Sequence, residues 1–131
     1  MIILDENILD GQRVLLEAWR LARGRSESTS VTKGLRDEEL VVLLRQQRNP
    51  TFFTRDAGFY HRNLRHRNYC LVVAKVGQNE VAAFIRRFLR HLDFDTQARR
   101  MGRIVWISHA GMTVWRLRAQ AEMHTAWKRT K

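Results

Sequence analysis

One cysteine in 131 residues rules out an internal disulfide, and with it the small secreted scaffolds that depend on such bonds. Cys70 precedes Leu71-Val72-Val73, so it is expected to be buried and inert, in a chain of the reducing cytoplasm. A single proline, Pro50, and seven glycines leave no Pro- or Gly-rich linker. With no internal repeat or low-complexity block either, one domain spanning 1–131 is expected. No apolar run approaches the ~18 residues of a membrane span. The N-terminus carries Asp5-Glu6 and no basic leader, so no targeting peptide and no membrane partner are expected. The chain has no Walker A loop and no Gly-x-Gly-x-x-Gly fingerprint. His61, His66, His91, His109 and His124 form no His-Glu-x-x-His pattern and have no cysteine partners, so they read as surface residues and not as zinc ligands.

Acid is the scarce charge: 13 Asp and Glu stand against 24 Lys and Arg, for a net charge of +11. Residues 1–64 hold 10 basic and 9 acidic side chains, whereas residues 65–131 hold 14 and 4. A basic field of this size attracts polyanions, nucleic acid first among them. Against that background the acids are the feature to explain. Asp5-Glu6 ends the apolar run Met1–Leu4, Asp56 follows Thr51–Thr54, and Asp37-Glu38-Glu39 opens a helical segment between them. Acids at the carboxyl ends of neighbouring parallel strands converge in the crevice where open α/β sheets bind ligands.

The periodicity predicts alternating strands and helices. Met1–Leu4, Thr51–Thr54 and Cys70–Val76 are short uninterrupted apolar runs, as buried parallel strands should be. A first helix is expected over Gln12–Ala22, with Val14, Leu15, Ala18, Leu21 and Ala22 as its apolar stripe, Asn7 or Asp10 as cap and Gly24 as its stop. The polar stretch Arg25–Gly34 has room for one strand near Val31. A second helix starts at Asp37 as N-cap and runs to about Gln47 on Leu40, Val41, Leu43 and Leu44. A short helix is expected over Phe59–Arg67. The clearest helix is Glu80–Leu92, with Val81, Phe84, Ile85, Phe88, Leu89 and Leu92 on one face and Arg86, Arg87 and Arg90 on the other. Asp93–Gly102 reads as polar connection. Arg103–Ser108 and Met112–Arg118 read as a terminal hairpin, followed by a helical or frayed tail. Strand–helix alternation implies an α/β chain with a central, mainly parallel sheet, helices on both faces and a β-rich C-terminal edge. The tryptophans and phenylalanines read mostly as core.

Ile3-Leu4-Asp5-Glu6-Asn7, then Gly34-Leu35-Arg36-Asp37-Glu38-Glu39-Leu40, then Phe53-Thr54-Arg55-Asp56 with Phe59, in that order, resemble the PIN-like proteins, relatives of the PIN-domain ribonucleases that include toxins of toxin–antitoxin pairs. The resemblance covers roughly residues 1–76. It implies a three-layer α/β/α PIN-like fold and a cluster of acids that holds Mg²⁺ or Mn²⁺ and hydrolyses RNA. It also implies an antitoxin protein as partner and a homodimer. By position, Asp5 matches the acid of the first strand, Asp37 or Glu38 the acid at the helix start, and Asp56 the acid after the later strand. Relatives often read Thr-Arg-Asp-x-Asp-Phe here, whereas this chain has Gly58 in place of the second acid. Glu6 stands near enough in sequence to compensate in part.

The chemistry has its own warrant, because Mg²⁺ and Mn²⁺ are hard cations that prefer carboxylate oxygens and keep several waters. Asp5 and Asp56 are expected to bind the metal directly, Asp37 or Glu38 directly or through water, and Glu6 more weakly, since it points away from Asp5 along an extended strand. Asn7 is expected to orient a water or phosphate. Arg55, Arg86, Arg87 and Arg90 are expected to contact RNA, with DNA as the other substrate that this charge admits. Taken singly, Asp37 is an ordinary helix cap and Asp56 an ordinary turn residue; their coincidence with Asp5 points to a site. Two rival classes remain: a PIN-like module without catalysis that binds nucleic acid or a partner, and a phosphate-accepting receiver domain. No Lys-Pro follows the later strands to support the receiver.

Overall fold

In the computed structural model, which describes residues 1–24 and 28–127, seven strands form one sheet in the order β2-β1-β3-β4-β5-β6-β7. These are β1 (Ile2–Leu4), β2 (Thr29–Val31), β3 (Thr51–Thr54), β4 (Cys70–Ala74), β5 (Ile104–Ser108), β6 (Gly111–Trp115) and β7 (Met123–Thr125). The first five are parallel, and β6 and β7 extend the sheet antiparallel. Four helices complete the α/β architecture: α1 (Asp10–Ala22), α2 (Asp37–Gln46), α3 (Val81–Arg90) and α4 (Gln97–Arg100). No helix among the described residues is long and apolar enough to cross a membrane.

The central strands read as continuous apolar runs because both faces of the sheet are covered. On one face, Ile2, Leu4, Phe53, Cys70, Val72 and Val105 pack against Leu16 of α1 and Val81, Ile85 and Phe88 of α3. On the other, Ile3, Phe52, Leu71 and Val73 pack against Leu40 and Leu44 of α2 and against Phe59. The β2–α2–β3 and β4–α3–β5 connections shift the chain in the same direction yet run over opposite faces, so the two crossovers have opposite hands. The α2 face of β5 and β6 is consequently covered by rings: Trp106 and Trp115 pack there, with Tyr60 edge-on to Trp106 at 5.3 Å.

Several expectations need correction. The apolar stripe of α1 faces solvent, with Val14 67%, Leu15 59% and Leu21 62% exposed, while Gln12, Leu16 and Arg20 turn inward. Polar partners explain the reversal. Gln12 Oε1 accepts a hydrogen bond from the Ala82 amide (2.9 Å), satisfying an orphan donor in the first turn of α3, and Arg20 Nε donates to Thr29 Oγ1 (3.2 Å). Neither Asn7 nor Asp10 caps α1: Leu9 holds the cap position, and Asp10 pairs with Arg13. The expected helix over Phe59–Arg67 is two single 3₁₀ turns, Ala57–Phe59 and Arg62–Leu64.

The polar connection 93–102 contains α4, whose Arg100 is 1% exposed and donates to Thr51 Oγ1 (2.9 Å) and the Phe94 carbonyl (3.1 Å). Of the tail, Met123–Thr125 is strand, and residues 128–131 lie outside the described residues, as do residues 25–27 of the polar stretch after α1. His91 is fully buried: Nδ1 accepts from the Asp93 amide, which leaves Nε2 to donate to the Ala126 carbonyl. Cys70 is buried as expected, and burial pushes its thiol up to about 12.

Candidate active site

Strand order reverses between β1 and β3, because the chain leaves β1 over one face of the sheet and leaves β3 over the other. The carboxyl ends of these two strands border the crevice that a doubly wound sheet offers to ligands. Parallel register pairs Leu4 with Phe53, so the next residues, Asp5 and Thr54, stand side by side. The Thr54 hydroxyl is the hub. It donates to Asp5 Oδ2 (2.6 Å) and accepts from Asn7 Nδ2 (3.2 Å) and from the Asp56 amide (3.0 Å). A hydroxyl has one proton and two lone pairs, so its hydrogen-bonding capacity is used in full. Thr54 is fully buried, and its bonds fix Asp5, Asn7 and Asp56 relative to one another.

Asp56 follows β3 and closes the first 3₁₀ turn, its Oδ1 accepting from the Gly58 amide (2.9 Å). A Cβ at position 58 would stand 3.2 Å from that same oxygen, so a larger residue there would press on the carboxylate that the Gly58 amide holds. Asn7 spends both ends of its amide within the site, since Oδ1 also accepts from the Arg55 amide (3.3 Å). Arg55 reaches sideways to β4, where Nη2 donates to the Val76 carbonyl (3.3 Å); its Nε is buried without a hydrogen-bond partner.

The third acid arrives from α2. Glu6 Oε2 accepts from the Gly34 amide (3.1 Å), tying the loop before α2 to the end of β1. Gly34 supplies the turn that the loop needs, with φ +70. Arg36, not Asp37, is the N-cap residue, and Glu39 Oε1 folds back on the Arg36 amide (3.1 Å) and Nε (3.0 Å). Capping is thereby left to Glu39, with Asp37 and Glu38 in the first turn. Partial desolvation and the charges of Asp56, Glu38 and Asp5 raise the Asp37 carboxyl above its ordinary value. Asp5, Glu38 and Asp56 therefore lie near enough to Asp37 for their charges to reach it. Among the described residues, no three His, Cys, Asp or Glu side chains are gathered closely enough to hold a metal ion.

The arginines assigned to α3 stand elsewhere. Arg86, Arg87 and Arg90 begin more than one turn below the N-terminus of α3, on the face opposite α2. Arg86 lies over Trp19 (5.3 Å), and Arg87 over Trp127 (4.4 Å) and Phe84 (5.0 Å). With Ala83 and Arg90 they wall a groove of about 260 Å³. Sequence reasoning missed Thr54, whose signal was a strand-ending threonine two residues before an aspartate, the spacing of a hydroxyl-to-amide turn.

Comparison of the chain with protein-family models, with curated proteins and with solved structures finds no match in any of the three.

Proposed function

We propose that this chain is a PIN-like, Mg²⁺- or Mn²⁺-dependent ribonuclease acting through the crevice between β1 and β3. The observation that carries the reading is the Thr54 hydroxyl, which bonds the Asp5 carboxylate and the Asp56 amide at adjacent strand ends in a chain of +11 charge, near enough to Asp37 for their charges to raise its pKa. Carboxylates held against their own repulsion suit a hard divalent cation, which would neutralise them. Asp5 and Asp56 would hold the ion and Asp37 or Glu38 would join through water, since no three carboxylates are gathered closely enough among the described residues to bind it together, with Glu6 steadying the α2 loop. When bound, such an ion polarises a phosphodiester oxygen and lowers the pKa of a water to make a nucleophile. The protein's own part is placement. Thr54 and Asn7 orient the strand-end acids, and the net charge of +11 favours the approach of an RNA polyanion to the protein as a whole.

The roles of toxin, antitoxin partner and homodimer rest on the resemblance alone. A second reading, a binding module without catalysis, is favoured by Gly58 where relatives carry an acid and by the spacing of the carboxylates. The test is cleavage of a mixed structured and single-stranded RNA with Mn²⁺ or Mg²⁺ by the wild type, Asp5→Asn and Asp56→Asn. Metal-dependent cleavage that falls about 100-fold or more in both variants supports the nuclease. Heat stabilisation by Mn²⁺ without cleavage supports the binding module.

A further inference from the structure

A second cleft lies at the far end of the sheet from the carboxylates. It encloses about 470 Å³ where the hairpin β5–β6 opens away from its turn, beneath the segment that leaves α3. Cross-strand register pairs Ile104 with Trp115, so the next residues outward, Arg103 and Arg116, stand opposite each other on the same side of the ribbon. Like charges in that position destabilise a strand pair. Both guanidinium groups line the cleft. Burial, and next the charge of Arg116, pull the Arg103 pKa down, while the Asp93 carboxylate opposes them, so the two cations feel each other beside a partial counter-charge.

The two arginines are held differently. Arg103 is anchored by donating Nη1 to the carbonyls of Arg99 and Met101. Arg116 is exposed and has no hydrogen bond or ion pair through its guanidinium among the described residues. Arg99 braces the wall, donating to the Leu92 carbonyl (2.6 Å) and Asp95 Oδ1 (2.9 Å). The rest of the lining is of another kind: Leu92 and Met123 are exposed apolar walls over the buried Phe94 and Val114, and the Asp93 carboxylate stands within the field of Arg103.

We infer that this cleft binds a nucleoside monophosphate, with Arg103 and Arg116 clamping the phosphate and the exposed Leu92 and Met123 receiving the base. The volume lies in the range of small-ligand pockets and exceeds what inorganic phosphate fills. Paired guanidinium forks match a phosphate dianion, whose binding relieves the repulsion between them. This inference is independent of the nuclease reading, because no residue of the cleft belongs to the crevice.

The test is calorimetric titration of the full chain with AMP, UMP, adenosine and inorganic phosphate, at low salt with chelator present so that no metal recruits phosphate to the crevice. The expected result is nucleotide binding at least about tenfold tighter than adenosine or phosphate, weakened about tenfold or more by Arg116→Gln and unchanged by Asp5→Asn. Arg116 is exposed, so its substitution spares the fold; Arg116→Lys, which keeps the charge without the fork, should fall between. The inference is overturned if neither nucleotide binds, if Arg116→Gln binds as well as wild type, or if phosphate alone binds as tightly as AMP.

Discussion

The two ends of the sheet solve opposite electrostatic problems. Near the carboxyl ends of β1 and β3, the charges of Asp56, Glu38 and Asp5 reach Asp37 and, with desolvation, raise its pKa. At the open end of β5–β6, Arg103 and Arg116 face each other, and burial with the charge of Arg116 lowers the Arg103 pKa. The first end gathers carboxylates alone, whereas the second sets its two arginines beside the Asp93 carboxylate. The difference lies in the bracing. Asp5 and Asp56 are locked by the buried Thr54 hydroxyl, whereas Arg116 stands on an exposed strand end. A site whose geometry is fixed in advance suits chemistry, and one with an adjustable clamp suits reversible binding.

Substitutions that act at one end alone sharpen this contrast. The largest effect is expected from Asp5→Asn or Asp56→Asn, which should lower metal-dependent RNA cleavage about 100-fold or more and leave nucleotide binding at the other end untouched. Thr54→Val keeps the shape but removes the hub, leaving the Asp56 amide and the Asn7 side chain without their acceptor. We expect a loss of about 1–3 kcal/mol in denaturant unfolding, and a fall in cleavage of about 10- to 100-fold because the acids lose their registration. Gly58→Ala should cost less, about two- to tenfold in cleavage, since Asp56 must move a few tenths of an ångström and can do so.

The smallest effect is on stability. Because the folded-state pKa of Asp37 is raised, its contribution to stability is full below the ordinary aspartate range and is lost as pH rises through the folded value. Asp37→Asn should therefore raise the melting temperature at pH 7, by about 1–2 °C given solvent screening at this exposed position, and leave it unchanged near pH 3. A thermal scan across pH checks the sign.

The central strands and α3 were legible in the sequence because apolar residues alone decide them: Cys70–Ala74 is covered on both faces, and Val81, Ile85 and Phe88 meet it from one side, whereas the edge strand Met123–Thr125 buries little and carried no such signal. The α1 face was not, since a count of apolar residues cannot see that Gln12 supplies the acceptor for the Ala82 amide and Arg20 a donor to Thr29. Tertiary hydrogen bonds outweighed the exposed Val14, Leu15 and Leu21. Nor does hydropathy foresee a buried guanidinium such as Arg100, which finds Thr51 and Phe94 only in the fold.

The crevice itself was readable as acids after strands, because chain direction places every strand end of a parallel sheet on one edge. What escaped was the supporting layer. Thr54, the Glu6 bond to Gly34 and the capping role of Glu39 depend on register between segments roughly 30 to 50 residues apart or on a competition among three adjacent acids. The Arg103–Arg116 pair is likewise invisible until the hairpin register is known.

The most direct measurement is metal-dependent RNA cleavage by wild type and Asp5→Asn under identical Mn²⁺. The carboxylate account predicts cleavage by the wild type and its loss in the variant. No cleavage by the wild type with either metal, or equal cleavage by both proteins, contradicts it.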